Sequence, residues 1–285
     1  MLASAALSAL FMLAFLALVF APLERLFPRR RQRVIRPEWW TDLAFYAGQQ
    51  LLWRFPALLA LGALAVWLDG VAPGGLRADV AALPLAVQIA LVVVLCDVTV
   101  YWGHRLSHRS AFLWRFHRVH HTSEHLDWLA AYREHPVDGL YTMTLENLPA
   151  LLLGFRLEAI AGFVAFRGVW AVFIHSNVRL PLGPLKVLFG SPELHHWHHD
   201  AERGGTCNFA NLSPLMDKLF GTYYAPPGRD PAWIGTPEKV PHDYLGQLAY
   251  PLAELGRDGV RAARAMARRA RGATPQPEPP PAPAE

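Results

Sequence analysis

Charge is scarce in this sequence. Only 18% of its 285 residues are charged, while 53% are hydrophobic and 12% aromatic, against about 25% charged in ordinary soluble domains. Such a composition argues against a typical cytosolic enzyme. The net charge of +4 is too small for a nucleic-acid footprint, and the prolines and glycines concentrate partly in a tail, so wholesale disorder is not indicated. Cysteine is nearly absent. Cys96 and Cys207 allow at most one disulfide, neither belongs to a C-x-x-C pair, and both read as free thiols. There is no G-x-G-x-x-G unit, no haem-attachment C-x-x-C-H and no iron–sulfur cysteine set. Histidine, by contrast, occurs thirteen times.

The apolar runs set a topology. Met1 to Leu23 carries no charge and, at ~1.5 Å per helical residue, is long enough to cross a hydrocarbon core of ~30 Å. A cleaved signal peptide would put basic residues before the apolar run, and here the arginines follow it. Arg25, Arg29, Arg30, Arg31, Arg33 and Arg36 crowd the next loop, which by the positive-inside rule belongs in the cytoplasm. Leu43 to Leu68 reads as a second span, interrupted by Arg54 and kinked at Pro56. Val80 to Gly103 reads as a third, with one charge, Asp97. Leu140 to Leu153 and Ala159 to Ile174 form an apolar pair; the first covers only ~21 Å as a helix, so a re-entrant hairpin and two full spans both remain open. Either way the chain returns to the side it left, which places every histidine cluster on the cytoplasmic face.

The expected organisation is an all-α, multi-pass transmembrane bundle with a cytoplasmic histidine-rich cap. Residues 1–255 form one membrane-embedded domain with a core at about 97–223. Residues 256–272 form a basic amphipathic stretch (Arg257, Arg261, Arg264, Arg268, Arg271) suited either to anionic headgroups or to a solvated face. Residues 273–285 read as a disordered, proline-rich tail.

Three histidine clusters carry the chemistry: His104-Arg-Leu-Ser-His108, His117-Arg-Val-His120-His121 and His195-His196-Trp-His198-His199. Residues three and four apart share a helix face, so each cluster can aim two or three imidazoles at one point. Eight such rings exceed what one tetrahedral ion can use, which argues for two metals. Neutral imidazoles without cysteine suit iron, copper, nickel or zinc rather than calcium or magnesium. The string His121-Thr-Ser-Glu124-His125 spells the zinc-protease pattern H-x-x-E-H but shares His121 with a better cluster. His104 to His108 lacks the glutamate of H-E-x-x-H. A transporter would hold its ligands near the bilayer midplane, whereas these follow the span ends.

The order H-x-x-x-H, H-x-x-H-H, apolar hairpin, H-x-x-H-H resembles the fatty acid hydroxylase and sterol desaturase superfamily over roughly Asp97 to Tyr223. Arg133-Glu-His135-Pro, His175-Ser-Asn177 and the segment ending Met216-Asp-Lys-Leu-Phe-Gly-Thr share in the likeness. The resemblance implies a membrane non-haem enzyme with two Fe ions that uses O2 as co-substrate to hydroxylate or desaturate an alkyl C–H of a lipid. It implies metal ligands at His104, His108, His117, His120, His121, His195, His198 and His199, with His175 as an additional one. It leaves His196 facing outward and ranks His135 as a supporting residue ahead of a ligand. A separate electron donor (ferredoxin, small cytochrome or reductase) is implied, because the chain has no redox motif of its own. The competing expectations are a zinc-dependent membrane hydrolase and a non-enzymatic metal-handling protein.

Around the clusters, Asp97, Tyr101, His104 and His108 form one helical stripe. A carboxylate inside a span costs about 2.5–3.5 kcal/mol on insertion scales, so Asp97 is expected to accept a hydrogen bond from a ligand imidazole or to line a substrate channel. Glu124, Asp127, Glu134, Glu193, Asp200, Asn177 and Asn208 are candidate acceptors for the second ring nitrogens. His125 and His242 read as unremarkable polar positions. Trp39, Trp40, Trp102, Trp114, Trp128 and Trp197 fit an interfacial belt.

Overall fold

The computed structural model describes residues 2–270; Arg271 and the proline-rich stretch 273–285 lie outside the described residues. Eleven α-helices are described, with no strand among them and only two isolated bridges. The charge-free start folds as α1 (Leu2–Leu26). α2 (Trp39–Gly48) runs through a π-helical turn at Gln49–Trp53 into α3 (Arg54–Val71). Pro56 accounts for the turn: it has no N–H to offer the carbonyl of Leu52 and its ring crowds that carbonyl, so the helix widens there. The third span begins later than Val80, because Leu83 and Pro84 break the chain between a short α4 (Gly74–Ala82) and α5 (Leu85–Arg109).

α5 turns at Ser110 into α6 (Ala111–His121), where the Ser110 hydroxyl caps the Leu113 amide at 3.3 Å. α7 (Pro136–Leu153) and α8 (Leu157–His175) form the apolar hairpin. Its corner needs Gly154, whose φ is +74° and against which the Arg77 side chain packs. The tip stands beside the start of α5: Arg77 donates to the Leu151 carbonyl at 2.6 Å and the Arg156 amide donates to Gln88 Oε1 at 2.9 Å. The hairpin therefore runs the whole depth of α5. Four segments are long and apolar enough to cross a membrane: Ala3–Leu26, Trp39–Val71, Leu85–Arg109 and Leu157–His175. Large apolar side chains such as Leu18, Val66 and Trp67 stand more than 60% exposed on them, the surface a bilayer covers.

At the opposite end, Arg29 donates to the Asn177 carbonyl at 2.8 Å and Arg179 to that of Phe27 at 2.7 Å, which joins the arginine-rich loop to the end of α8. That loop and the histidines thus share one end of the bundle. α9 (Pro192–His198) and α10 (Leu215–Leu219) complete this end, and α11 (Tyr244–Ala270) crosses it. In α11, Glu254 and Asp258 pair with Arg118 and Arg115 of α6, while Arg257, Arg261 and Arg264 stay exposed. Two of the expected belt tryptophans are core instead. Trp128 packs with Leu16 and Phe20, and Trp197 meets the Tyr224 ring edge-on at 5.0 Å.

Candidate metal centre and its cavity

Nine imidazoles from four helices and one helix end converge. His104, His108, His117, His121 and His198 form one group, and His120, His175, His195 and His199 a second; within each group one nitrogen per residue lies within 4.8 Å of all the others. The groups adjoin, with the His121 and His199 rings stacked at 4.3 Å. The spacing explains the sorting. On α6, His117 and His121 are four apart and face one group, while His120 is turned to the other; α9 divides in the same way.

Backbone carbonyls aim most of the rings. Nδ1 of His104 donates to Phe209 O (2.7 Å), of His120 to Arg133 O (3.1 Å), of His175 to Ala171 O (2.7 Å) and of His198 to Cys207 O (2.8 Å). One carboxylate joins them: Asp138 Oδ2 accepts from His117 Nδ1 at 2.9 Å. With Nδ1 protonated in both His120 and His175, their Nε2 atoms carry lone pairs, yet stand 3.0 Å apart. His195 Nε2 is 2.8 Å from that of His175. Lone pairs facing at such distances call for a cation between them. Nε2 of His104, His121 and His198 and Nδ1 of His108, His195 and His199 are likewise buried with no hydrogen-bond partner. Facing lone pairs, orphaned nitrogens and an all-imidazole donor set fit late first-row divalent ions, one for each group.

Electrostatics favour neutral, ligating rings. Burial, reinforced by neighbouring imidazoles, pushes His121, His195 and His199 well below the usual histidine range. Burial likewise brings His120 and His198 down to about 3.

Other sequence expectations meet different partners. Asp97 touches no ring and does not line the cavity below; its Oδ1 accepts from the Leu212 amide at 3.2 Å. Together with Asp217, which accepts from Phe209 and Ala210 at 2.8 and 2.9 Å, it fixes the loop whose carbonyl orients His104. His135 caps α7, accepting at Nδ1 from Val137 and donating at Nε2 to Leu248 O, so both nitrogens are engaged away from the groups. Asn177 binds Arg30 through both ends of its amide, straps the arginine-rich loop to α8, and meets no ring. His196 does not face outward. It is 1% exposed and bonds Ser176 O at 3.1 Å. Of the acceptors expected from sequence, none is seen bonding a ring: Asp127 holds Arg36, Asn208 holds Leu194 and Tyr224, and Glu193 pairs with Lys186. His125, outside both groups, leaves the zinc-protease pattern without its second histidine.

Sequence reasoning missed Asp138 and Asp42. Asp138 was recognisable as the acid in the first turn of α7. Asp42 bridges the buried Arg36 and Arg133, both at 2.5 Å, and so steadies the residue whose carbonyl holds His120.

A cavity of about 550 Å³ reaches His104, His117, His120, His175 and His195. Its wall includes Trp53 of the π turn, within a candidate span, and Val137 and Leu140 of α7, each more than a third exposed, so it opens on the outside of the bundle and reaches the rings. Near the rings it holds Glu134, whose carboxyl burial raises well above its usual range with help from Asp138 and Glu146.

The fold and site define an integral membrane protein built around two adjoining imidazole groups. Residues 89–222 match the model of the fatty acid hydroxylase family. It is similar to an ornithine lipid hydroxylase of Rhizobium tropici, 35% identical over 61% of this chain and 53% of that protein. It is also similar to the human (Homo sapiens) alkylglycerol monooxygenase, 33% identical over 45% of this chain and 29% of that protein. A very-long-chain aldehyde decarbonylase of Oryza sativa is 29% identical over 47% of this chain and 52% of that protein. The chain thus spans about half the length, or less, of these relatives. No solved structure matches.

Proposed function

We propose that this protein is a non-haem di-iron monooxygenase that hydroxylates an alkyl C–H bond of a membrane lipid, with its metal centre on the cytoplasmic side. The observation that carries this reading is one cavity that opens on the outside of the bundle beside a candidate membrane span and reaches both imidazole groups. An alkyl chain offers no handle for acid–base residues, so a redox metal must supply the hard step. The reaction would consume the lipid, O2, two electrons and two protons and release the hydroxylated lipid and water. His104, His108, His117, His121 and His198 would hold one ion and His120, His175, His195 and His199 the other. The protein's own work is positioning: carbonyls and Asp138 lock the rings, the apolar wall seats the chain, and closure around the rings keeps water out. The names of the relatives favour hydroxylation of a lipid with a polar head over desaturation. The arginine-rich loop at the same end supports the cytoplasmic placement.

Metal analysis of protein from iron-supplemented cells should give two irons per chain, and lipid profiling with and without the gene should reveal a lipid heavier by one oxygen. Tight zinc with lipid-ester hydrolysis and no oxygen consumption would overturn the proposal in favour of a hydrolase.

A further inference from the structure

A second concavity, about 420 Å³, shares no lining residue with the first cavity. Arg30, Arg31, Arg33 and Arg36 line it, with Glu124 as the one acid in its wall. Arg36 is spent on Asp42 and Asp127, and Arg30 donates to the Pro231 carbonyl. Arg31 and Arg33 are exposed and make no ion pair among the described residues. The concavity is lined on one side by the cap itself, where His196 contributes a buried ring whose Nδ1 has no partner. His196 precedes Trp197 and follows His195 on α9, so a single residue step separates this wall from the second imidazole group.

We propose that this basic concavity is the docking site for a small acidic electron-carrier protein, with Arg31 and Arg33 receiving its carboxylates. The inference rests on the monooxygenase reading, which requires electrons from outside. The first cavity is lined by rings of both imidazole groups, and this separate concavity, walled by His196 next to His195, gives a water-borne partner its own approach to them. Unpaired guanidiniums at the rim steer an anionic partner and make its binding salt-dependent. Anionic headgroups are the competing ligand for the same charges, but they gain nothing from a wall that abuts the metal centre.

The test uses the full-length protein in detergent, metal-loaded and metal-free, with a plant-type [2Fe–2S] ferredoxin as probe. Binding should weaken as salt rises, and Arg31→Glu with Arg33→Glu should raise the ferredoxin Kd by roughly tenfold or more and flatten the salt dependence. Turnover driven by a chemical reductant, and the KM for lipid, should stay at wild-type values. An unchanged Kd would overturn the proposal, as would a variant that loses only its binding to phosphatidylglycerol vesicles. If the wild type binds ferredoxin but yields no oxidised lipid with either reductant, the monooxygenase reading falls instead, and the docking assignment falls with it.

Discussion

At the residue scale, the imidazoles that the fold brings together were legible in the sequence and their supports were not. Imidazoles at i, i+3 and i+4 reveal themselves because helical geometry makes sequence spacing into a shared face. Their hydrogen-bond acceptors are mostly carbonyls of Phe209, Arg133, Ala171 and Cys207, and a carbonyl has no residue identity to read. Asp97 was misread for a related reason: its stripe along α5 gave direction but not the loop at Leu212 that meets it. Asp138 is the exception among the supports, a side chain that accepts from His117 Nδ1 and so fixes the orientation of that ring. Asp138→Asn should lower metal affinity or turnover by about 10- to 100-fold while the melting temperature of the metal-free protein stays near wild type. Metal content by mass spectrometry and single-turnover product yield would check it, and wild-type values of both would show that the carboxylate is dispensable.

At the element scale, the interruption of the second span was visible as Pro56, but its form was not. Proline predicts a kink, and whether the chain answers with a bend or a π turn depends on what packs against it. Here the turn at Gln49–Trp53 places Gln49, Gln50 and Trp53 in the cavity wall, with Gln49 held by Tyr132 O at 3.0 Å and Trp53 by the Tyr244 hydroxyl at 3.2 Å. Removing the extra residue from the turn would rotate that wall by ~100° relative to α3. Pro56→Ala permits this relaxation. The expected outcome is a raised KM or altered chain-length preference for lipid with metal content unchanged; unaltered lipid kinetics would mean the turn is maintained without the proline. The α7–α8 hairpin was ambiguous in sequence because α7 mixes Glu146 and Asn147 into its apolar run. Its depth became clear only from the contacts of Arg77 and Arg156 at its tip.

At the scale of the whole molecule, burying so many histidines links stability to pH. His120, His196 and His198 sit at about 3 when folded, against 6.5 for an exposed imidazole. Between those values the unfolded chain binds more protons than the folded one, so their contribution is complete above pH 6.5 and is lost as pH falls toward 3, on the order of 1 kcal/mol per pH unit for each ring. The melting temperature of the metal-free protein should drop steadily from pH 7 to pH 5, and a flat profile would mean that water reaches the rings. The same architecture fixes which surfaces share a side of the membrane. The spans and the hairpin divide the chain between two ends, one carrying Glu202 with the histidines and the other carrying Arg156 beside Gln88. Both native cysteines are buried, so a cysteine introduced at either exposed position reports on its own location. Glu202→Cys should react with a membrane-impermeant maleimide only in inside-out vesicles, and Arg156→Cys only in right-side-out vesicles. Labelling of both from one side would place the hairpin tip and the metal centre on the same face, which the Arg156–Gln88 contact at the far end of α5 forbids.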